Sequence, residues 1–156
     1  MFIILFIIST ICILLIYALY TRDYISYNIN SYTIKMLKYY NDHEEGFKNI
    51  AIIREYLVQR KYLEKTNSIA IIELELDHEH EGYTQFGLFK DIIFIKMRDQ
   101  NGKLRPIKDL LVIVIHEYAH VLCGENCGHS DEFWDIFNNI IDNTNFDFNN
   151  VSSDLM

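Results

Sequence analysis

Residues 107–123 read IKDLLVIVIHEYAHVLC, and the fold turns on them. Leu110 to Ile115 are six apolar residues in a row. A helix that is apolar on every side belongs in a core. His116 and His120 follow at a spacing of four, so on a helix both imidazoles leave one face, one turn apart. Two histidines and a glutamate on a core helix are costly unless something compensates them. A metal ion does so: histidines at this spacing can chelate Zn²⁺, and Glu117 between them can reach a water on that metal.

A catalytic zinc usually takes three protein ligands and keeps a fourth position open. The next histidine is His129. Gly124 can end the first helix, since glycine favours the left-handed cap. Residues 125–128 then form a short loop that can return the chain toward the metal. Ser130 or Asp131 can cap a second helix over 131–143, with Phe133, Trp134, Ile136, Phe137, Ile140 and Ile141 as its apolar positions. His129 therefore falls at a loop-to-helix junction and is the expected third ligand, with Glu125, Asp131 and Glu132 as competitors. In such a site Glu117 is the expected catalytic residue, moving a proton from water to the leaving amine. A second group should stabilise the developing oxyanion. Tyr118 points away from the metal face of its helix, and Tyr83 lies in a loop that could fold over the site; neither is assigned that role.

Upstream, residues 46–66 place Phe47, Ile50, Ile53, Leu57 and Tyr62 near helical spacing. Residues 69–76 (IAIIELEL) form a β run, with the alternation clearest at 72–76. A charged turn over 77–82 (DHEHEG) holds His78 and His80; in a strand they would share one side and could bind metal, but in a turn they read as solvated. Residues 83–89 are an edge strand or a loop, and 92–97 a further strand. Asn101-Gly102 signals a turn, and Pro106 suits a helix start. The expected architecture is α+β: a helix, a small antiparallel sheet, the histidine-bearing helix and a C-terminal helix. Residues 21–45 read as a polar, tyrosine-rich stalk, 46–156 as one domain, and 144–156 as a polar tail.

The block 92–134 resembles the WLM and SprT-like (Spartan-like) zinc metallopeptidases. The matching pieces are a strand ending in basic Lys96 and Arg98, a polar turn, a proline-led helix with HEYAH, and a late Gly128-His129-Ser130 followed by Phe133-Trp134. The resemblance implies a zincin-like fold, zinc held by His116, His120 and His129, catalysis by Glu117, and a protein or peptide substrate. It also implies that an edge strand lies over the cleft and can pair with extended substrate, with 92–97 as the candidate. The eight residues between His120 and His129 are more than the WLM pattern has, and the spacing is not that of metzincins. Two further readings follow: a non-catalytic, zinc-stabilised assembly domain, and a Spartan-like protease acting on DNA-bound proteins.

Residues 1–20 (MFIILFIISTICILLIYALY) carry no charged side chain. At 1.5 Å per residue they are long enough to cross the ~30 Å hydrocarbon core of a bilayer. They read as an uncleaved single-pass anchor, lacking the basic start and the small-residue cleavage site of a signal peptide. Arg22, Lys35 and Lys38 follow the span, which places the catalytic domain in the cytosol by the positive-inside tendency. The remaining chain, roughly 135 residues, suits one small domain. The net charge of −8 argues against a phosphate-binding face and hence against nucleic acid as a main partner. The chain has 3 cysteines, an odd number that implies no disulfide framework. Cys123 and Cys127 flank the loop before His129 as free thiols, or as a pair stapling that loop if the domain faces an oxidising space.

Overall fold

Ala70-Ile71-Ile72-Glu73 are all buried and form strand β3 in the middle of a five-stranded sheet. The computed structural model describes residues 10–11, 24–29, 32–59, 69–88 and 90–143. In chain order its strands and helices are β1 (Tyr24–Ile29), β2 (Tyr32–Leu37), α1 (His43–Gln59), β3 (Ala70–Glu73), β4 (Gly82–Gln85), β5 (Ile92–Ile95), α2 (Ile107–Cys123) and α3 (Asp131–Asp142). The sheet order is β1-β2-β3-β5-β4.

The α+β class stands, but the sheet is mixed rather than antiparallel. β2 pairs with β3, and β3 with β5, in parallel. The outer strands β1 and β4 run antiparallel to their neighbours. The 17-residue helix α1 lies between β2 and β3, and a crossover of that length returns the chain parallel to its start. A central strand covered on both faces then reads as a nearly continuous apolar run, as β3 does.

Three further expectations are corrected. Residues 21–45 are not a stalk: they hold β1 and β2, and Tyr32, Ile34 and Met36 alternate into the core. Residues 92–97 are not an edge strand, since β5 pairs on both sides and β4 takes the edge. The expected single-pass membrane localisation is contradicted: among the described residues no helix is long and apolar enough to cross a membrane. Apart from residues 10 and 11, the segment 1–20 lies outside the described residues, as does the tail 144–156.

Strand alternation divides the core into two faces. Ile71, Ile93 and Ile95 face the helices, where they pack with Ile50, Ile53 and Leu57 of α1 and Leu110, Val114, Ile115 and Tyr118 of α2. Ile72, Leu74 and Phe94 form a smaller cluster, with Tyr24, Tyr83 and Ile92 packed against it. The start of α2 is set by Pro106, whose carbonyl accepts the N–H groups of Asp109 and Leu110 at 2.9 and 3.1 Å. Gly124 at φ +99° ends it, donating its N–H to the His120 carbonyl at 2.8 Å. α2 packs on β4, β5 and α1 on one side and on α3 on the other, so the histidine-bearing helix is the centre of the domain.

Candidate metal centre

His116 and His120 leave α2 on the face turned toward α3, their ring centroids 5.2 Å apart. Past Gly124 the loop bends through Gly128, at φ +53°, and sets His129 opposite them. Its ring lies 5.1 Å from that of His116 and 4.9 Å from that of His120. The Nε2 atoms of His116 and His129 are 3.1 Å apart. Ligand atoms of all three histidines fall within 4.8 Å of one another. Two nitrogens bound tetrahedrally at ~2.0–2.1 Å from zinc sit about 3.3 Å apart, so the cluster has the right size. Of the competitors for the third position, Glu132 groups with Cys123 and Cys127, whereas Glu125 and Asp131 join no such group among the described residues.

The electrostatics suit a cation. Burial, and then the neighbouring His120 and His129, lower the pKa of His116 to about 4. Burial and His129 lower that of His120 as well. These two imidazoles are therefore neutral near pH 7, the form in which a histidine offers a lone pair to a metal. An aromatic shell fixes the rings. Phe133, fully buried on α3, lies 4.4 Å from His120 and 4.9 Å from His116. Trp134 stacks on His129 at 5.8 Å. α3 is held in place by Ser130, whose hydroxyl accepts the Phe133 N–H at 3.4 Å. Cys123 and Cys127 form a disulfide, with Cα atoms 5.7 Å apart, across the loop that carries the chain to His129.

Glu117 sits beside the cluster, only 4% exposed. Burial raises its carboxyl to about 7, against the pull of a hydrogen bond from Thr84. The Thr84 hydroxyl on edge strand β4 lies 2.9 Å from the Glu117 carbonyl oxygen and 3.1 Å from Oε2, and its one proton serves either acceptor. Gly82, at the start of the same strand, lets the backbone approach. A Cβ there would lie 2.8 Å from Glu117 Oε1 and 3.0 Å from both Glu117 Cγ and the Phe94 carbonyl oxygen. Gly82→Ala is therefore expected to displace Glu117 or lift β4, costing about 1–3 kcal/mol in urea unfolding. An unchanged midpoint would show that the strand gives way freely.

Thr84 and Gly82 are the site residues that sequence reasoning missed. Their pairing with Glu117 spans more than thirty positions in the chain, and GYTQ carries no short-range signal. Neither tyrosine weighed as an oxyanion stabiliser belongs to the site. Tyr118 is 1% exposed within the core, and Tyr83 stacks on Phe94 at 4.5 Å on the sheet's other face.

No family model matches the chain. Over 83 residues it is 32% identical to the uncharacterized protein 136R of Invertebrate iridescent virus 6, covering 51% of this chain and 43% of that protein. Over 82 residues it is 38% identical to the uncharacterized protein 042R of Invertebrate iridescent virus 3, covering 51% of this chain and 49% of that one. The match spans about half the length of these curated relatives. Among solved structures the fold is similar to Wss1 from Saccharomyces cerevisiae, with a TM-score of 0.52 at 16% identity over 70% of this chain and 82% of that one. A Wss1 mutant gives a TM-score of 0.54 at 14% identity, over 70% and 83%. At that identity the likeness is one of fold: a small α+β domain built like Wss1, carrying a three-histidine cluster.

Proposed function

We propose that the protein is a zinc-dependent peptidase of the WLM type acting on protein or peptide substrates, with His116, His120 and His129 as metal ligands and Glu117 as the catalytic carboxylate. One observation carries this reading: three imidazoles converge at metal-ligand spacing with a buried carboxylate beside them. The Wss1-like fold and the motif resemblance support it.

Zinc, when bound, supplies Lewis acidity that activates water and polarises the scissile carbonyl. Glu117 takes the proton of the attacking water and gives it to the leaving amine. A carboxyl raised to about 7 by burial is matched to both transfers near neutral pH. When the Thr84 hydroxyl donates to Oε2 rather than to the Glu117 carbonyl, it leaves the other carboxylate oxygen for the proton. β4 lies at the sheet edge, the position at which an extended substrate can add as a further strand. This is the role expected of 92–97, moved by one strand. A purely structural zinc site has no use for a buried carboxylate at this place.

Metal analysis tests the reading. The purified protein is expected to hold one equivalent of zinc and to cleave fluorescent casein, to lose both with a chelator, and to regain both on adding zinc. His129→Ala is expected to lower zinc affinity by at least tenfold. A protein that takes up no zinc, or binds it as tightly without His129, would overturn the assignment.

A further inference from the structure

The cleft beside the three histidines has a volume of about 350 Å³ and two walls. One wall is formed by Val112, His116 and Glu117 of α2, with His129 close by; the other is the end of the 77–82 turn, with His80 and Gly82. An attacked peptide carbonyl in this cleft needs a hydrogen-bond donor facing the metal side. Gly82 has no side chain. Glu81 is a carboxylate paired with Lys96 at 3.6 Å and with Arg105, and it would repel an oxyanion. Among the residues lining the cleft, His80 is the only side-chain donor apart from the proposed metal ligands and the protonated form of Glu117, which serves the water and the leaving amine.

The turn places His80 firmly while leaving its ring free to move. The His80 N–H donates to His78 Nδ1 at 3.2 Å. The His78 ring stacks on Tyr83 at 5.2 Å, and Tyr83 on Phe94 at 4.5 Å, which anchors the turn to the sheet. On the other side Lys96 donates its N–H to the Glu81 carbonyl at 2.7 Å. The His80 side chain is itself 62% exposed and meets the exposed Glu79, with Nε2 3.2 Å from Oε1, and the His78 ring, whose centroid lies 5.7 Å away in a tilted contact. An exposed pair of this kind separates at little cost, so the ring can turn toward a substrate.

We propose that His80 is the residue that receives the oxyanion, an inference that rests on the peptidase reading above. Water oxygen bonds to the carbonyl carbon, the π pair moves to the carbonyl oxygen, and the His80 ring N–H donates a hydrogen bond to that oxygen. Collapse restores the carbonyl and expels the amine, which takes its proton from Glu117. His80 is thus a catalytic residue in a turn that its composition marks as solvent-facing.

The test uses the full chain loaded with zinc and an internally quenched peptide that the parent cleaves. His80→Ala is expected to lower kcat by about 10²–10³-fold with KM changed less than about threefold and zinc content unchanged. His80→Gln, which keeps a donor, is expected to recover at least about tenfold of that loss. A phosphinic dipeptide, whose tetrahedral anion mimics the attacked carbonyl, is expected to bind His80→Ala more weakly by a similar factor in calorimetry. A kcat within about threefold of the parent, or an equal loss in both variants, overturns the assignment. If the zinc-loaded parent cleaves nothing, the peptidase reading fails by itself. Phosphinic dipeptide binding then decides for His80, with equal affinity for parent and His80→Ala counting against it.

Discussion

Glu117→Gln is expected to reduce peptide hydrolysis by about 10³-fold while zinc stoichiometry stays at one. The amide matches the carboxylate in shape and can keep the contact with the Thr84 hydroxyl seen at 3.1 Å, but it can neither accept the proton of water nor return one. Cleavage at parental rate would end the catalytic assignment and leave a structural zinc site. The same variant carries a second signature in the metal-free protein. Burial raises the folded-state pKa of Glu117 to about 7, above its ordinary value of 4.5. The folded chain thus binds the proton more tightly than the unfolded one. The stability this confers is full below pH 4.5 and is lost as pH rises through 7. Gln has no such loss, so metal-free Glu117→Gln is expected to be more stable than metal-free parent at pH 8, by on the order of 2 kcal/mol, with the difference shrinking toward pH 4.5. His116 acts in the opposite sense. Its pKa is lowered to about 4, so stability falls as pH drops from 6.5 toward 4. That contribution is common to both proteins and cancels in the comparison. Urea titrations at several pH values read the difference directly. A variant no more stable than the parent at pH 8 would mean that the carboxylate is well solvated there.

The largest effect on stability is expected from Arg98→Leu. Arg98 is 1% exposed, and its Nε meets Glu73 Oε1 at 2.8 Å, with Glu73 fully buried. Glu73 Oε2 accepts the Leu37 N–H at 2.7 Å. Arg98 also meets Asp42 at 2.6 Å and the Gly102 carbonyl at 3.1 Å, and lies 3.6 Å over the Tyr40 ring. One guanidinium thereby ties β2, β3, the entry to α1 and the 99–103 turn together. Removing it strands a buried carboxylate, which costs about 3–5 kcal/mol. The direction at Glu73 agrees: burial raises its pKa even against the Leu37 N–H and Arg98. Thermal unfolding should drop by at least about 10 °C. Arg98→Leu combined with Glu73→Leu is expected to recover much of the loss, because replacing both charges removes the desolvation penalty along with the attraction. A single variant within about 1 kcal/mol of the parent would show that water reaches Glu73.

The convergence of the three histidines was legible because helix geometry is local. His116 and His120 share a face by spacing alone, and Gly124, Ser130 and the aromatic positions of α3 located His129 from its neighbours. The sheet was not, because strand order is set by partners far along the chain. The alternation at 72–76 marks a strand but not what covers it: Glu73 is 0% exposed and Ile72 only 3%. Its partner Arg98, 25 residues away, registers in the sequence only as a basic residue closing a strand. Likewise 21–45 reads as a polar, tyrosine-rich stalk until β2 finds β3 across the α1 crossover. The proline-started helix and its glycine end were visible, whereas the approach of Thr84 and Gly82 to Glu117 was not.

All three histidines of the cluster belong to one helical hairpin, α2 and α3, within fourteen consecutive positions, while the contacts that place Glu117 come from the sheet. The three histidines and the carboxylate beside them thus share one hairpin, whereas the groups that position that carboxylate sit on another piece of the chain. On the proposed reading, a descendant that lost or rebuilt β4 would keep the three-histidine cluster but not the setting of Glu117, so the hairpin alone would be a poor guide to which distant homologues are enzymes.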